Sequence, residues 1–405
     1  MRLVEKHLIK RSHPCFKEID SMAFKSKNLF NSALYICRQA FFTKEPIPGF
    51  NRLYHQLKAS EDYKALPSKV AQLVFKQVDK SFKSYFEAKK VYLVDSSKFL
   101  GEPKLPKYKN KDKGRNILVF NNQAFSKTWL KKGYINPSGL NLKIKTKLTK
   151  IEEVRIIPKG NVYVVEAVYS MPETTLVKVD KIASIDIGLN NLATVASNDS
   201  DFKPFIVCGK ALKACNQHYN KVKSKLQSFL PKKQYTSRRI EALTLKRNNK
   251  MDYYLHTASS FIIKRLVSQG VTHLIIGKND NWKQNINLGR KTNQNFTAIP
   301  HARFIQQLEY KALLVGIGVT ITEESYTSKC SFLDLEPLGK PEKYLGKRVK
   351  RGLFRSTSGK SYSADLNGAL NIMRKVVGDA IFDSNSIERL VVSPLRFKPY
   401  KARNI

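Results

Sequence analysis

Two acids in this chain stand where an acid could do chemistry. In Ile185-Asp186-Ile187-Gly188-Leu189-Asn190-Asn191-Leu192, Asp186 interrupts an apolar strand at its centre, just before a glycine-bearing turn. Far downstream, Ala364-Asp365-Leu366-Asn367-Gly368-Ala369-Leu370 puts a second acid at a helix start. An unpaired charge inside an apolar strand is costly, which lifts Asp186 above surface noise. Asp365 also reads as a helix N-cap, a position Asp favours. Together the two could bind Mg²⁺, which takes oxygen ligands and keeps waters and phosphates in its shell. Two such ions, about 3.5–4 Å apart, can activate a water and stabilise the leaving alkoxide when a phosphodiester is cut. A third acid is expected at the end of the strand between them, His273-Leu274-Ile275-Ile276-Gly277, and that acid is absent.

The surrounding pattern says what must position these residues. Residues 1–12 read as a strand, and residues 13–95 carry helical periodicity. Ser68 is expected to cap a helix bearing Leu73, Val74, Val78, Phe82 and Phe86, a stripe that reads as core packing. The linker 101–116, GEPKLPKYKNKDKGRN, holds six Lys/Arg against Glu102 and Asp112. It reads as a phosphate-contacting loop, with a merely solvated loop as the blander alternative. Residues 117–170 are β-rich, with Leu142-Lys143-Ile144-Lys145 alternating and a hairpin turn at Pro158-Lys159-Gly160-Asn161. A Lys/Ile alternation gives a basic solvent face, suited to a barrel that lines nucleic acid.

From residue 181 the pattern becomes mixed α/β, with strands at Ile182–Ile187, Leu192–Ala196 and Phe205–Cys208. A basic helical hairpin over 211–268 is broken near Pro231. Strand 273–277, helix 300–316, strand Val319–Glu323, an irregular basic insert 325–362 and helix 366–378 follow. Arg396 to Ile405 carry four basic residues and no acid, and read as a tail that orders on nucleic acid. Asn281-Trp282-Lys283-Gln284 and Asn287 to Asn295 read either as a base-stacking segment or as a loop over the site. His256 and His301 read as packing or capping histidines.

The bulk numbers narrow the partners. The chain has 405 residues, with 73 Lys and Arg against 32 acids, a formal net charge of +41. Such self-repulsion calls for a polyanion, and nucleic acid is the first choice. No apolar run reaches the roughly 18 residues of a spanning helix, and no signal-peptide core is present at the N-terminus. The five cysteines, Cys15, Cys37, Cys208, Cys215 and Cys330, form no CxxC pair, so neither a disulfide framework nor a cysteine zinc site is supported. A reducing, cytoplasmic setting is expected.

The order DIGLNNLAT, a basic helical hairpin, Leu308-Glu309-Tyr310-Lys311-Ala312, Tyr326 to Ser331 (YTSKCS) and DLNGALNI resembles the TnpB family. These are transposon-encoded RNA-guided nucleases, relatives of the type V CRISPR effectors. The resemblance runs nearly end to end. It implies an α/β multidomain protein: a wedge-like β-barrel (1–12 and 101–180), a helical recognition domain (13–100), an RNase H-like RuvC nuclease domain (181–385) and a basic tail (386–405). It further implies a guide RNA from the transposon end and double-stranded target DNA with a short flanking motif, cut with two Mg²⁺. Asp186 matches the first catalytic Asp of the family and Asp365 the last.

Two departures from the family pattern shape the expectations. Gly277 or Lys278 stands where the family's catalytic Glu follows its strand. Glu324 at the end of the neighbouring strand is the chosen substitute, with Glu323 as alternate and Asp280 as a third candidate; surface charges are the bland reading of both glutamates. The family's zinc ribbon uses two CxxC pairs, whereas here Cys330 stands alone, Leu333 fills its mate's place, and Arg351 to Gly359 hold no Cys. The insert 325–362 is therefore expected to bind no zinc. The reading is an Mg²⁺-dependent RNA-guided endonuclease with metal ligands Asp186, Glu324 and Asp365. The alternative is a nuclease-inactive RNA-guided DNA-binding protein acting as a repressor or targeting factor, with a strand-transferase reading weaker still.

Overall fold

A computed structural model of the chain describes residues 1–172, 174–175, 179–279, 289, 294, 298–382 and 387–399. The chain divides into two compact units, Met1–Pro172 and Glu173–Ile405.

The first unit is built on one core. Strand β1 (Arg2–Ile9) is followed by helices α1 (Phe16–Phe42), α2 (Phe50–Leu57), α3 (Glu61–Lys64) and α4 (Ser68–Val94). In α1, Ile19, Met22, Ala23, Phe30, Ala33, Leu34 and Cys37 recur at three- and four-residue spacing and are buried. Val74, Val78 and Phe82 do the same in α4. Ser68 does not cap that helix. Pro67 holds the N-cap position, and Ser68, already helical, places its hydroxyl 3.1 Å from that of Tyr63.

The rest of the unit comprises β2 (Leu118–Asn121), α5 (Lys127–Lys131), β3 (Tyr134–Ile135), β4 (Ile144–Lys145), β5 (Glu153–Lys159) and β6 (Val162–Ser170). The β5–β6 hairpin turns at Gly160, whose φ of +58° suits a residue without Cβ, with Lys159 paired to Val162. The expected barrel does not form among the described residues. Strands β1-β6-β5-β2 make an open four-stranded antiparallel sheet, and β3-β4 a separate ladder. The reason lies in packing: Leu118, Phe120, Val154, Ile156 and Val165 bury one face against residues of α1 and α4, so helices cover the face a barrel would close over. The Leu142–Lys147 alternation holds in burial, with Leu142, Ile144 and Thr146 inside and Lys143, Lys145 and Lys147 outside, although only Ile144 and Lys145 are laddered.

The basic linker is strapped along α1. Lys27 Nζ donates to the Lys111 carbonyl at 2.6 Å, Asn31 pairs with both backbone groups of Lys109 at 2.9 Å, and Arg38 donates to the Pro106 carbonyl at 2.8 Å.

The second unit carries a six-stranded mixed sheet of β7 (Ile182–Asp186), β8 (Asn191–Ser197), β9 (Phe205–Cys208), β10 (His273–Gly277), β11 (Gly318–Thr322) and β15 (Leu395–Phe397). Its order is β11-β10-β7-β8-β9-β15. Strands β7, β8 and β9 pair antiparallel, whereas β7-β10, β10-β11 and β9-β15 pair parallel. Helices α6 (Lys210–Ser228) and α7 (Arg238–Ser268) form the expected hairpin. Helix α7 and α8 (His301–Leu314) cover one face of the sheet, and α9 (Ala364–Val377) the other.

Two sequence expectations change here. The insert is not irregular throughout, since β12 (Lys347–Lys350), β13 (Leu353–Arg355) and β14 (Ser361–Ser363) make a small antiparallel sheet. The tail is ordered over its described part. Leu395, Arg396 and Phe397 pair with Phe205, Ile206 and Val207, and the Phe397 ring stacks on Phe261 at 3.5 Å. A free strand edge and an aromatic partner supply the folding energy that composition alone hides.

Candidate active site

Strand alternation decides which residues face α9. In β7, Ala183 and Ile185 enter the core on the α7–α8 side, so Ile182, Ser184 and Asp186 face α9. Ser184 Oγ donates to the Ala369 carbonyl at 2.6 Å, and Asp186 ends the strand rather than occupying its centre. Helix α9 passes so close that a Cβ on Gly368 would lie 2.8 Å from Asp186 Oδ2. A mid-helix glycine costs about 1 kcal/mol relative to Ala. Here it makes room for a carboxylate.

Asp365 lies in the first turn of α9, where a negative charge suits the helix dipole. It is not the N-cap, since Ser363 holds that position. Asn191, opening β8, donates its amide to Asp365 Oδ2 at 2.5 Å, and an Arg348 guanidinium nitrogen from β12 lies 3.9 Å from Oδ1.

The two glutamates after β11 differ sharply. Glu323 is exposed and takes Lys375 Nζ at 2.7 Å and the Ser325 backbone N–H at 2.8 Å. The Lys375 and Ser325 hydrogen bonds hold its carboxyl below the usual range. Glu324 turns inward. Its Oε2 accepts from Asn279 Nδ2 at 3.2 Å, and its backbone N–H donates to Asn279 Oδ1 at 3.1 Å. Among the described residues its Oε1 is buried with no hydrogen-bond partner. Gly277 on the adjacent strand explains how it fits: a Cβ there would stand 2.6 Å from Glu324 Oε1 and 2.5 Å from Ile372 Cδ1. The residue that lacks the expected acid thus leaves the space its neighbour's acid occupies.

The carboxylates feel one another. Burial first, then the nearby Asp365 charge, pushes Asp186 up to about 7, with Arg348 opposing. Burial, then Asp186, then Glu323 push Glu324 up to about 8. Buried acids raised by each other are what a divalent cation relieves. The donor set is all oxygen, which suits Mg²⁺. Among the described residues, no three His, Cys, Asp or Glu side chains are gathered tightly enough to hold an ion by themselves. Asp280 and Trp282 lie outside the described residues. His301 Nε2 lies 3.3 Å from the Gly188 carbonyl.

Sequence reading missed Asn191, Asn279, Arg348 and Gly368. Gly368 carried a signal, a glycine inside a strong helical run. The others carried none, because their partners lie far along the chain.

The insert, beside the site, has a polar interior. Glu336 accepts from the Ser331 and Leu345 backbone N–H groups at 2.6 and 2.9 Å. Asn367 and Asn371 donate to the Cys330 carbonyl at 2.8 and 2.7 Å, and Arg374 donates to the Glu336 carbonyl at 3.1 Å. The Cys330 thiol lies 3.5 Å from the Pro337 carbonyl.

The fold and site define a mixed α/β protein with acids near one end of its larger sheet. Residues 164–283 match a family described as probable transposase, and residues 301–372 match the Cas12f1-like TNB domain. The TnpB-like protein ORF457 of Acidianus two-tailed virus is 26% identical over 236 residues, 55% of this chain and 48% of that protein. The chain therefore spans about half the length of the curated relative it matches. Together these matches make parts of the chain similar to a transposase family and to a TnpB-like protein. Among solved structures, the mini-RNA-guided endonuclease CRISPR-Cas_phi3 gives a TM-score of 0.48 at 11% identity, covering 94% of this chain and 93% of that one. The Cas12f1-sgRNA-target DNA complex gives 0.35 at 15%, covering 91% and 98%. Among the described residues no helix is long and apolar enough to cross a membrane.

Proposed function

We propose that this chain is an RNA-guided DNA endonuclease, cutting target DNA with Asp186, Glu324 and Asp365 as the acids that hold two Mg²⁺. The observation that carries the reading is Glu324: a carboxylate turned into the space above Gly277, with one buried oxygen left without a partner. A buried carboxylate oxygen without a donor is uncommon, and a bound cation would satisfy it. The strand order supports an RNase H-like domain, three antiparallel strands continuing into two parallel ones. The excess of 41 positive charges supports RNA and DNA as partners.

Asp186 is fixed by β7 and Gly368, and Asp365 by the first turn of α9. Asp186, Glu324 and Asp365 would hold the Mg²⁺, whose chemistry would be to lower the pKa of a water and stabilise the departing alkoxide. The protein's part is to hold ionised oxygens at fixed positions, so that little reorganisation is needed. Glu323, committed to Lys375, is not assigned a ligand role.

The test is cleavage of a plasmid library by protein copurified with RNA from its own locus, in Mg²⁺ and in EDTA. Asp186→Ala and Glu324→Ala should abolish cutting, while Glu323→Ala should leave it largely intact. RNA-dependent DNA binding without cutting by the wild type would overturn the reading in favour of a targeted binder.

A further inference from the structure

We propose that Asn279 and Asn191 are positioning residues, each fixing one oxygen of a site carboxylate and leaving its second oxygen for a divalent cation. The inference rests on the reading of Glu324 and Asp365 as metal ligands. Asn279 makes a two-point clasp. Its Oδ1 receives the Glu324 backbone N–H at 3.1 Å, and its Nδ2 donates to Glu324 Oε2 at 3.2 Å. The backbone donor settles which end of the amide faces the carboxylate, because an N–H can meet only the oxygen. Side-chain and main-chain positions of Glu324 are thereby locked together.

Asn191 acts on the other side. It donates to Asp365 Oδ2 at 2.5 Å, and as the first residue of β8 it is held in the sheet beside Cys208. In both cases the hydrogen-bond donor is neutral; beside Asp365 the Arg348 guanidinium, 3.9 Å from Oδ1, is the charge that a bound cation would have to displace. A lysine would also hold the carboxylate, as Lys375 holds Glu323, but its charge would compete with a cation. An aspartate at either position would add a repelling charge. Asparagine holds the acid without neutralising it.

The experiment uses the full-length protein with its copurified RNA. Mn²⁺ binding, followed by electron paramagnetic resonance without DNA, is compared for the wild type, Asn279→Ala, Asn279→Asp, Asn191→Ala and Glu324→Gln. Loss of an orienting partner is expected to weaken Mn²⁺ binding by about 10-fold or more. The Mg²⁺ needed for half-maximal cleavage should rise in parallel, and excess Mg²⁺ should restore much of the rate. Thermal melting in EDTA reports whether a variant folds; Asn279→Asp keeps the acceptor for the Glu324 N–H and serves if Asn279→Ala does not fold. If Glu324→Gln loses Mn²⁺ while every asparagine variant binds like wild type, the positioning role is overturned and the ligand assignment stands. If Glu324→Gln itself binds Mn²⁺ normally, the ligand assignment fails and takes this inference with it.

Discussion

Glu324 and Glu336 lie close in sequence and both turn a carboxylate inward, yet their surroundings are opposite. Glu336 gives each oxygen a backbone N–H, from Ser331 and from Leu345, and is almost wholly buried at 2% exposure. Glu324 gives one oxygen an amide and leaves the other buried without a donor. Burial, and after it the neighbouring acids Asp186 and Glu323, raise it to about 8. A satisfied buried carboxylate organises the chain around it, whereas an unsatisfied one costs folding energy. The contrast separates a residue kept for architecture from one kept for what it can bind.

Removing each carboxylate breaks the comparison most directly. Glu336→Ala strands two backbone donors inside the insert and should cost about 3 kcal/mol. Glu324→Gln should cost less than about 1 kcal/mol, because a carboxyl raised to about 8 is largely neutral without metal and the Gln oxygen can still accept from Asn279. Urea denaturation with matched m-values reads both, and equal losses would erase the distinction.

Gly277→Ala comes next. Its Cβ would press on Ile372 and Glu324, and overpacking of this kind costs about 1–3 kcal/mol. In a Glu324→Ala background part of that loss should return, and a double-mutant cycle measures the coupling. Strict additivity would mean the two side chains do not share space.

Asn371→Ala removes donors to the Thr327 and Cys330 carbonyls, at 2.9 and 2.7 Å, and should destabilise by about 2 kcal/mol. Added zinc should not restore it, since the insert's polar core would be held by these bonds; rescue by zinc would overturn that view.

The smallest effect concerns a half-buried lysine. Lys311 donates to the His256 carbonyl and to the Ser259 and Ser260 hydroxyls at 2.9, 2.7 and 2.8 Å, all neutral acceptors. Burial pushes it down to about 8, from 10.5 in an unfolded chain. Between those values the unfolded state binds the extra proton, so stability should rise as pH climbs from about 8 toward 10.5. Lys311→Met should flatten that rise, as read by melting temperature against pH.

Much of the larger sheet was legible because its strands are apolar runs closed by turn residues. The strands Phe205–Cys208 and His273–Gly277 fall where periodicity puts them. The strand Lys347–Lys350 was not legible, since all four of its residues are exposed and nothing alternates. The barrel expectation failed because a basic face alternating with an apolar one fits an open sheet under helices equally well. At the candidate site, charge made Asp186, Glu324 and Asp365 visible. Asn191 and Asn279 read as ordinary turn residues, because sequence does not show which carboxylate an amide will meet. Gly277, read as a missing acid, was informative for another reason, the room it leaves.

The C-terminal strand Leu395–Phe397 has a consequence for how the protein is made. It pairs with Phe205–Cys208, a strand that leaves the ribosome long before it. Until the late strand emerges, the β9 edge keeps its backbone groups unpaired and Phe261 lacks its stacking partner. Until residues 395–397 emerge, the nascent sheet therefore carries an open, apolar-flanked edge, a form that invites pairing with other chains.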